Sequence, residues 1–199
     1  MDEVILARHG ESELSVGGIV NGDPTVPCAL TAAGREQAQR LGDLLADTEL
    51  DLCVTSEFER VRETADLALA GRHVPRVALS ELNDVRFGRF EGSMLGEYRK
   101  WAGANEPTTA APEGGESRAA TIARYVSAYR TILARPEPTI LVVTHGLPIR
   151  YILNALDGRP PEPLVDQVPY AEPYRLSARD LDSAVTLLEA WGLRPMWVF

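Results

Sequence analysis

Cysteine, histidine and long apolar runs are all scarce in this chain of 199 residues, and each shortage excludes a class of protein. Two cysteines, Cys28 and Cys53, cannot build a disulfide scaffold, and in a chain that opens Met1-Asp2-Glu3, without a basic leader, they read as reduced packing residues. Three histidines, with no Cys/His cluster at ligand spacing, argue against a metal site. The apolar runs fall far short of the roughly 18 residues that a membrane span needs. Positive charge is short as well, since 20 basic against 29 acidic side chains leave a net charge of −9. Such a chain has no excess of cations with which to coat nucleic acid or an anionic membrane. Any anionic ligand must therefore meet a local basic site. The expectation is a cytoplasmic protein whose partner is a small molecule, with neither nucleic acid nor membrane involved.

What is present is a regular alternation. The length suits one domain over 1–199, and no internal repeat divides it. Residues 4–7 are an apolar run too short for a helix, ended by Arg8-His9-Gly10, so they read as a buried strand. A loop with Gly17, Gly18, Gly22, Pro24 and Pro27 follows, and Thr31 then offers an N-cap to a helix over 32–47 whose apolar face is Ala38, Leu41, Leu44 and Leu45. A second strand is predicted at 52–55. Ser56 and Glu59 have the spacing of a capping box, which opens a helix running to about residue 70, and 75–79 reads as a third strand. From 83 to 115 glycine, proline and polar residues dominate around one short helix at 94–101, the pattern of an inserted lid. Ile122, Val126, Tyr129 and Leu133 mark a long helix starting near 117, and 139–143 is the strongest strand in the sequence. Pro148 then fits the first turn of a helix reaching Leu156. The proline-rich tail from 158 reads as largely irregular, with an edge strand at 174–177 and an ambiguous stretch at 185–191. Trp197, Val198 and Phe199 could dock in the core or on a second copy, which leaves a homodimer open. Strands alternating with helices imply an α/β fold with a mostly parallel sheet covered on both faces, and ligands of such sheets bind beyond the carboxyl ends of the strands.

Two of the three histidines stand at such ends. Ala7-Arg8-His9-Gly10 and Thr144-His145-Gly146 follow the two clearest strands and should reach the same sheet edge. His73, on a loop between Gly71 and Pro75, has no such context and is expected at the surface. Arg60 falls in the first turn of its helix, where a cation opposes the helix dipole, so it is either kept for a ligand or paired with Glu57 or Glu63. Arg62 is the weaker candidate. An arginine fork matches phosphate oxygens and neutral imidazole is a nucleophile near neutral pH, so the set points to phosphoryl transfer.

The sequence here resembles the histidine phosphatase superfamily, in its phosphoglycerate mutase-like branch, over about residues 3–157. Leu6-Ala7-Arg8-His9-Gly10-Glu11-Ser12 looks like the signature strand and nucleophile turn. Five further matches keep the family's order: Leu30-Thr31 with Gly34 and Gln37-Ala38; Thr55-Ser56 with Arg60 and Thr64-Ala65; Phe87-Gly88 with Glu91-Gly92; Gly115-Glu116-Ser117; and Val143-Thr144-His145-Gly146. The resemblance implies a three-layer α/β/α sandwich with a mostly parallel central sheet and a small lid at about 83–115. It makes His9 the nucleophile that becomes phosphohistidine. It assigns Arg8, Arg60 and His145 to the phosphoryl group and its transition state, with Ser15 and Gly146 as further phosphate contacts. No metal and no soluble cofactor are implied.

Three departures stand out. The family's proton-donating glutamate is replaced by Asp84, with Glu81 in reserve. Ser15 stands six residues after His9, where many members have asparagine. The tail from 158 and the exposed-looking Arg86 and Arg89 follow no family pattern, although those two arginines would suit a second anionic group on the substrate. The leading expectation is a metal-independent phosphomonoester hydrolase acting on a small phosphorylated metabolite. A 2,3-bisphosphoglycerate-dependent phosphoglycerate mutase is the nearest alternative. Mutases of the family carry an Asn-Glu-Arg-His-Tyr run where this chain has Asn83-Asp84-Val85-Arg86-Phe87. A catalytically silent phospho-ligand-binding protein is the third reading, and it predicts loss of a core residue that this chain retains.

Overall fold

A computed structural model describes residues 1–197. Five strands form one sheet in the order β3-β2-β4-β1-β5. They are β1 (Glu3–Arg8), β2 (Leu52–Thr55), β3 (Arg76–Ala78), β4 (Thr139–Thr144) and β5 (Pro173–Ser177). Pairings among β1 to β4 are parallel, and β5 alone runs antiparallel, against β1. β1 and β4 are buried along nearly their whole length, as expected of central strands covered on both faces.

Alternation along each strand divides the core in two. Val4, Leu6, Leu52, Val54, Ile140 and Val142 face one side, against α5 (Arg118–Leu133), α6 (Gly146–Leu156) and α7 (Ala178–Gly192). Ile5, Ala7, Cys53, Leu141 and Val143 face the other, against α2 (Ala32–Leu44) and α3 (Glu59–Ala68). The result is the three-layer α/β/α arrangement. A third apolar cluster lies apart from both faces. In it Phe87, Phe90, Tyr98, Ala102 and Ala111 pack around α4 (Leu95–Gly103) and give the 83–115 segment an apolar cluster of its own. A single turn of helix, α1 (Glu13–Val16), links the first strand to the glycine-bearing loop.

Several boundaries differ from the sequence reading, each for a local reason. Helix α2 stops at Leu44, where Leu45 turns inward to the core. The capping box of Ser56 and Glu59 does not form: Phe58 occupies the N-cap of α3, the Ser56 hydroxyl is used elsewhere, and the Glu59 carboxylate accepts from the Cys28 amide at 2.8 Å. Helix α6 begins two residues before Pro148, capped by His145. The tail is less irregular than its prolines suggest. All but Pro195 lie within 160–173, after which Ser177 caps the 15-residue α7, whose Leu181, Val185, Leu188 and Trp191 complete the core. Of the apolar carboxyl end, Trp197 packs on Trp191 and donates to the Asn105 carbonyl, while Val198 and Phe199 lie outside the described residues. Both cysteines are buried free thiols and His73 is exposed. Among the described residues no helix is long and apolar enough to cross a membrane.

Candidate active site

Parallel pairing of β1 with β4 sets Arg8 opposite Thr144, so the residues after each strand emerge side by side. His9 and His145 lie there with ring centroids 5.5 Å apart. The turn that carries His9 is fixed by a series of backbone tethers. The Gly10 amide donates to Thr64 Oγ1 at 2.9 Å, the Glu11 amide to Gln37 Oε1 at 2.8 Å, and the Glu11 carbonyl accepts from the Thr31 amide at 3.0 Å. Two glycines let this turn lie on the start of α2: a Cβ on Gly34 would stand 1.9 Å from the Glu11 carbonyl oxygen, and one on Gly10 would stand 2.4 Å from that of Gly34. Thr31, Gln37 and Thr64 thus form the frame of the turn that carries His9.

His9 is 3% exposed, and its Nδ1 lies 2.7 Å from the Gly10 carbonyl oxygen. A carbonyl can only accept, so Nδ1 carries the proton and Nε2 keeps its lone pair. That lone pair faces Arg60, whose Nε donates to it at 3.3 Å. Burial first, then the positive charges of Arg60 and Arg8, hold the His9 pKa well below the ordinary imidazole value. The ring is therefore a neutral base at neutral pH.

Arg60 is 4% exposed on the first turn of α3, and neither Glu57 nor Glu63 pairs with it. Glu63 is taken by Arg35 at 2.7 Å. Arg60 instead donates through Nη1 to Asn21 Oδ1 at 3.0 Å and through Nη2 to the Asn21 carbonyl at 3.2 Å, and it reaches Asp84 Oδ2 at 3.4 Å. Arg8 is held from the tail: its Nη1 donates to the Val168 carbonyl at 2.7 Å, and its guanidinium lies 3.9 Å from the Tyr170 ring centroid. Its Nε is buried with no partner among the described residues, a donor set beside a place where an anion would sit.

His145 has its Nε2 3.0 Å from Ser56 Oγ and its Nδ1 between Arg60 Nη2 at 3.3 Å and Asp84 Oδ2 at 3.5 Å. Burial, followed by Arg60, His9 and Arg8, keeps its pKa well below the usual range too. Gly146 opens α6 and lies on the cavity wall. Asp84 stands at the mouth, its side chain 22% exposed, and lines the cavity within reach of Arg60 and His145; Asp166 is a second carboxylate on the wall. Glu81 does not line it; its carboxylate accepts from Ser80.

Arg8, His9, Ser15, Arg60, Asp84 and Gly146 all line this cavity, and His145 stands directly behind them in contact with Arg60, with one change of role. The Ser15 hydroxyl lines the cavity but donates to the Ser12 carbonyl at 2.9 Å, which commits its proton inside the turn. Three residues at the site were given no role there by the sequence. Asn21 sits in the glycine-bearing loop, Tyr170 in the proline-rich tail, and Ser56 in what reads as a cap. Arg86 and Arg89 point away: Arg86 is 67% exposed and meets Glu116 at 3.6 Å, and Arg89 packs over Phe90. Among the described residues no group of three or more His, Cys, Asp or Glu side chains is placed to hold a metal ion.

Residues 4–189 match the model of the histidine phosphatase superfamily, branch 1. The chain is 34% identical over 168 residues to the adenosylcobalamin/alpha-ribazole phosphatase of Escherichia coli K12, covering 79% of this chain and 80% of that one. It is 30% identical over 209 residues to a 2,3-bisphosphoglycerate-dependent phosphoglycerate mutase of Brucella anthropi, covering 94% and 98%. The crystal structure of the alpha-ribazole phosphatase from Shigella flexneri superposes with a TM-score of 0.74 at 31% identity, covering 87% of this chain and 89% of that chain.

Proposed function

Because the chain belongs to the histidine phosphatase superfamily and is a phosphomonoester hydrolase of small metabolites, we propose that His9 Nε2 is the atom that takes the phosphoryl group. The observation that carries this reading is the bond from His9 Nδ1–H to the Gly10 carbonyl, which leaves Nε2 unprotonated, its lone pair turned toward Arg60 and met there only by a long contact of 3.3 Å. In the first step the Nε2 lone pair attacks phosphorus in line, the bond from phosphorus to the ester oxygen breaks, and Asp84 gives its proton to the departing alkoxide. In the second, a water oxygen attacks phosphorus, the Asp84 carboxylate takes the water's proton, and the P–N bond breaks with its electron pair returning to Nε2. Arg8, Arg60 and His145 are fixed in advance around the equatorial oxygens, with the Gly146 amide at the start of α6 as a further donor. Metal ions and soluble cofactors have no role in this scheme. Ser15 positions the turn rather than the phosphate.

The acidic charge of −9 supports a small-molecule partner over nucleic acid or an anionic membrane, and the two free thiols suit a reducing cytoplasm. Residues 1–199 work as one unit on this reading, with 83–115 as the cover.

The test compares wild type with His9→Ala, in chelator, on a panel of phosphomonoesters including both phosphoglycerates. Phosphate release with an acid-labile phosphoryl group on His9, both lost in the variant, is the expected result. Phosphate release that survives His9→Ala would overturn the assignment. The likeness to the mutase favours one second reading, which the same panel tests with the bisphosphate primer added: isomer exchange without net phosphate release would establish a mutase.

A further inference from the structure

The cavity extends well past the phosphoryl pocket, and its far wall holds a charge with nothing to balance it. Arg118 is 7% exposed and lines the cavity. Its Nη1 donates to Tyr151 Oη at 3.2 Å and its guanidinium lies 5.3 Å from the Tyr98 ring centroid. No carboxylate pairs with it among the described residues, and its Nε has no hydrogen-bond partner. The nearest acid in sequence, Glu116, is already held by Arg124 at 2.8 Å and Arg86 at 3.6 Å. Arg118 is also the first residue of α5, where the helix dipole disfavours a cation. A buried guanidinium without a counter-charge is costly, and so is a first-turn cation; here both costs fall on one residue that faces a cavity.

The neighbours fit the same purpose. Tyr98 lines the cavity, its hydroxyl is buried without a partner, and burial raises its pKa, so it remains a donor at neutral pH. Arg99, half-buried one residue on, lines the cavity as well. Leu95, Leu147, Pro163 and Val165 form the apolar stretch of wall.

Resting on the hydrolase reading above, we propose that the substrate carries a carboxylate in addition to its phosphoryl group, and that Arg118, with Tyr98 and Arg99, binds it. The apolar stretch takes the body between the two charged ends. Arg118 is thus a specificity residue, and the second-anion role that the sequence suggested for Arg86 and Arg89 belongs instead to side chains inside the cavity. A guanidinium suits this ligand because its planar fork matches the two oxygens of a carboxylate.

Non-hydrolysable phosphonates provide the test. A series of ω-carboxyalkylphosphonates of increasing chain length is compared with the matching methyl esters by calorimetry on the intact protein. At one chain length the carboxylate is expected to bind at least about tenfold more tightly than its ester. In Arg118→Met that ratio should fall to near one, and in Arg99→Ala, which removes a half-buried side chain and spares the buried one, it should fall partway. A ratio near one at every length in wild type would overturn the proposal. So would a preference for the carboxylate that persists in a folded Arg118→Met protein. Because binding is read without turnover, failure here with acid-labile phosphorylation of His9 intact would remove the carboxylate site alone. Selective binding without any phosphorylation of His9 would keep the site and remove the hydrolytic scheme.

Discussion

Asp84 is one methylene shorter than the glutamate of the family pattern, and it still lines the cavity. It is drawn in by Arg60 and His145, so that one Oδ2 lies 3.4 Å from the guanidinium and 3.5 Å from the imidazole. If it supplies the proton to the leaving oxygen, its loss should depend on how much the leaving group needs that proton. Asp84→Asn is expected to slow hydrolysis of an alkyl phosphate by about 10²- to 10⁴-fold. With p-nitrophenyl phosphate the same variant should still release a burst of nitrophenolate, followed by slow turnover, because the second step lacks its base. Glu81→Gln, altering a side chain outside the cavity, should behave as wild type in both assays. Equal losses on both substrates without a burst would assign Asp84 to positioning Arg60. Ser56 shows why a residue can be misread: its spacing to Glu59 satisfies a capping rule, yet its hydroxyl sits 3.0 Å from His145 Nε2, a partner 89 positions away that local pattern cannot reveal.

At the scale of elements, the site depends on how closely the turn after β1 lies on α2. Gly34→Ala would force a Cβ to within 1.9 Å of the Glu11 carbonyl, so the turn must shift and carry His9 with it. A loss of about 1–3 kcal/mol in chemical denaturation is expected, together with a fall in kcat. Gly96→Ala in α4 meets nothing within 4 Å and should raise stability by up to about 1 kcal/mol, as alanine does in a helix. Equal effects of the two changes would show that the close approach has no energetic weight. The strands were legible because their apolar runs are short and abruptly ended, and the histidines because each follows such a run. The strand β5 was found at its edge position, but α7 was not: prolines at 160, 161, 163, 169 and 173 dominate the composition just before it and hide a regular apolar face. Asn21 and Tyr170 escaped for a different reason. Both contribute through where a loop returns to, and a loop's path has no periodicity to read.

The molecule as a whole holds two uncharged histidines inside an acidic protein, and this has a sign that can be worked out. Unfolded, each imidazole takes up a proton near pH 6.5; folded, burial and the neighbouring arginines keep both pKa values well below that. The unfolded chain therefore binds more protons below pH 6.5, and stability should fall as the pH drops through that value. The slope approaches about 1.4 kcal/mol per pH unit for each histidine. Urea midpoints at pH 7.5, 6.5 and 5.5 should decline most steeply over the last interval, and His9→Gln should remove about half of that decline. A flat profile would mean that the rings charge freely within the fold. The anchoring of Arg8 has one further consequence, for synthesis. Its bond to the Val168 carbonyl spans 160 positions, and Tyr170, which stacks on it, is made later still. A nascent chain that has emerged through residue 160 already contains His9, His145, Arg60 and Asp84, yet lacks both of these partners of Arg8. Catalytic competence on the ribosome is therefore expected only once residues 168–170 have emerged and folded back on Arg8.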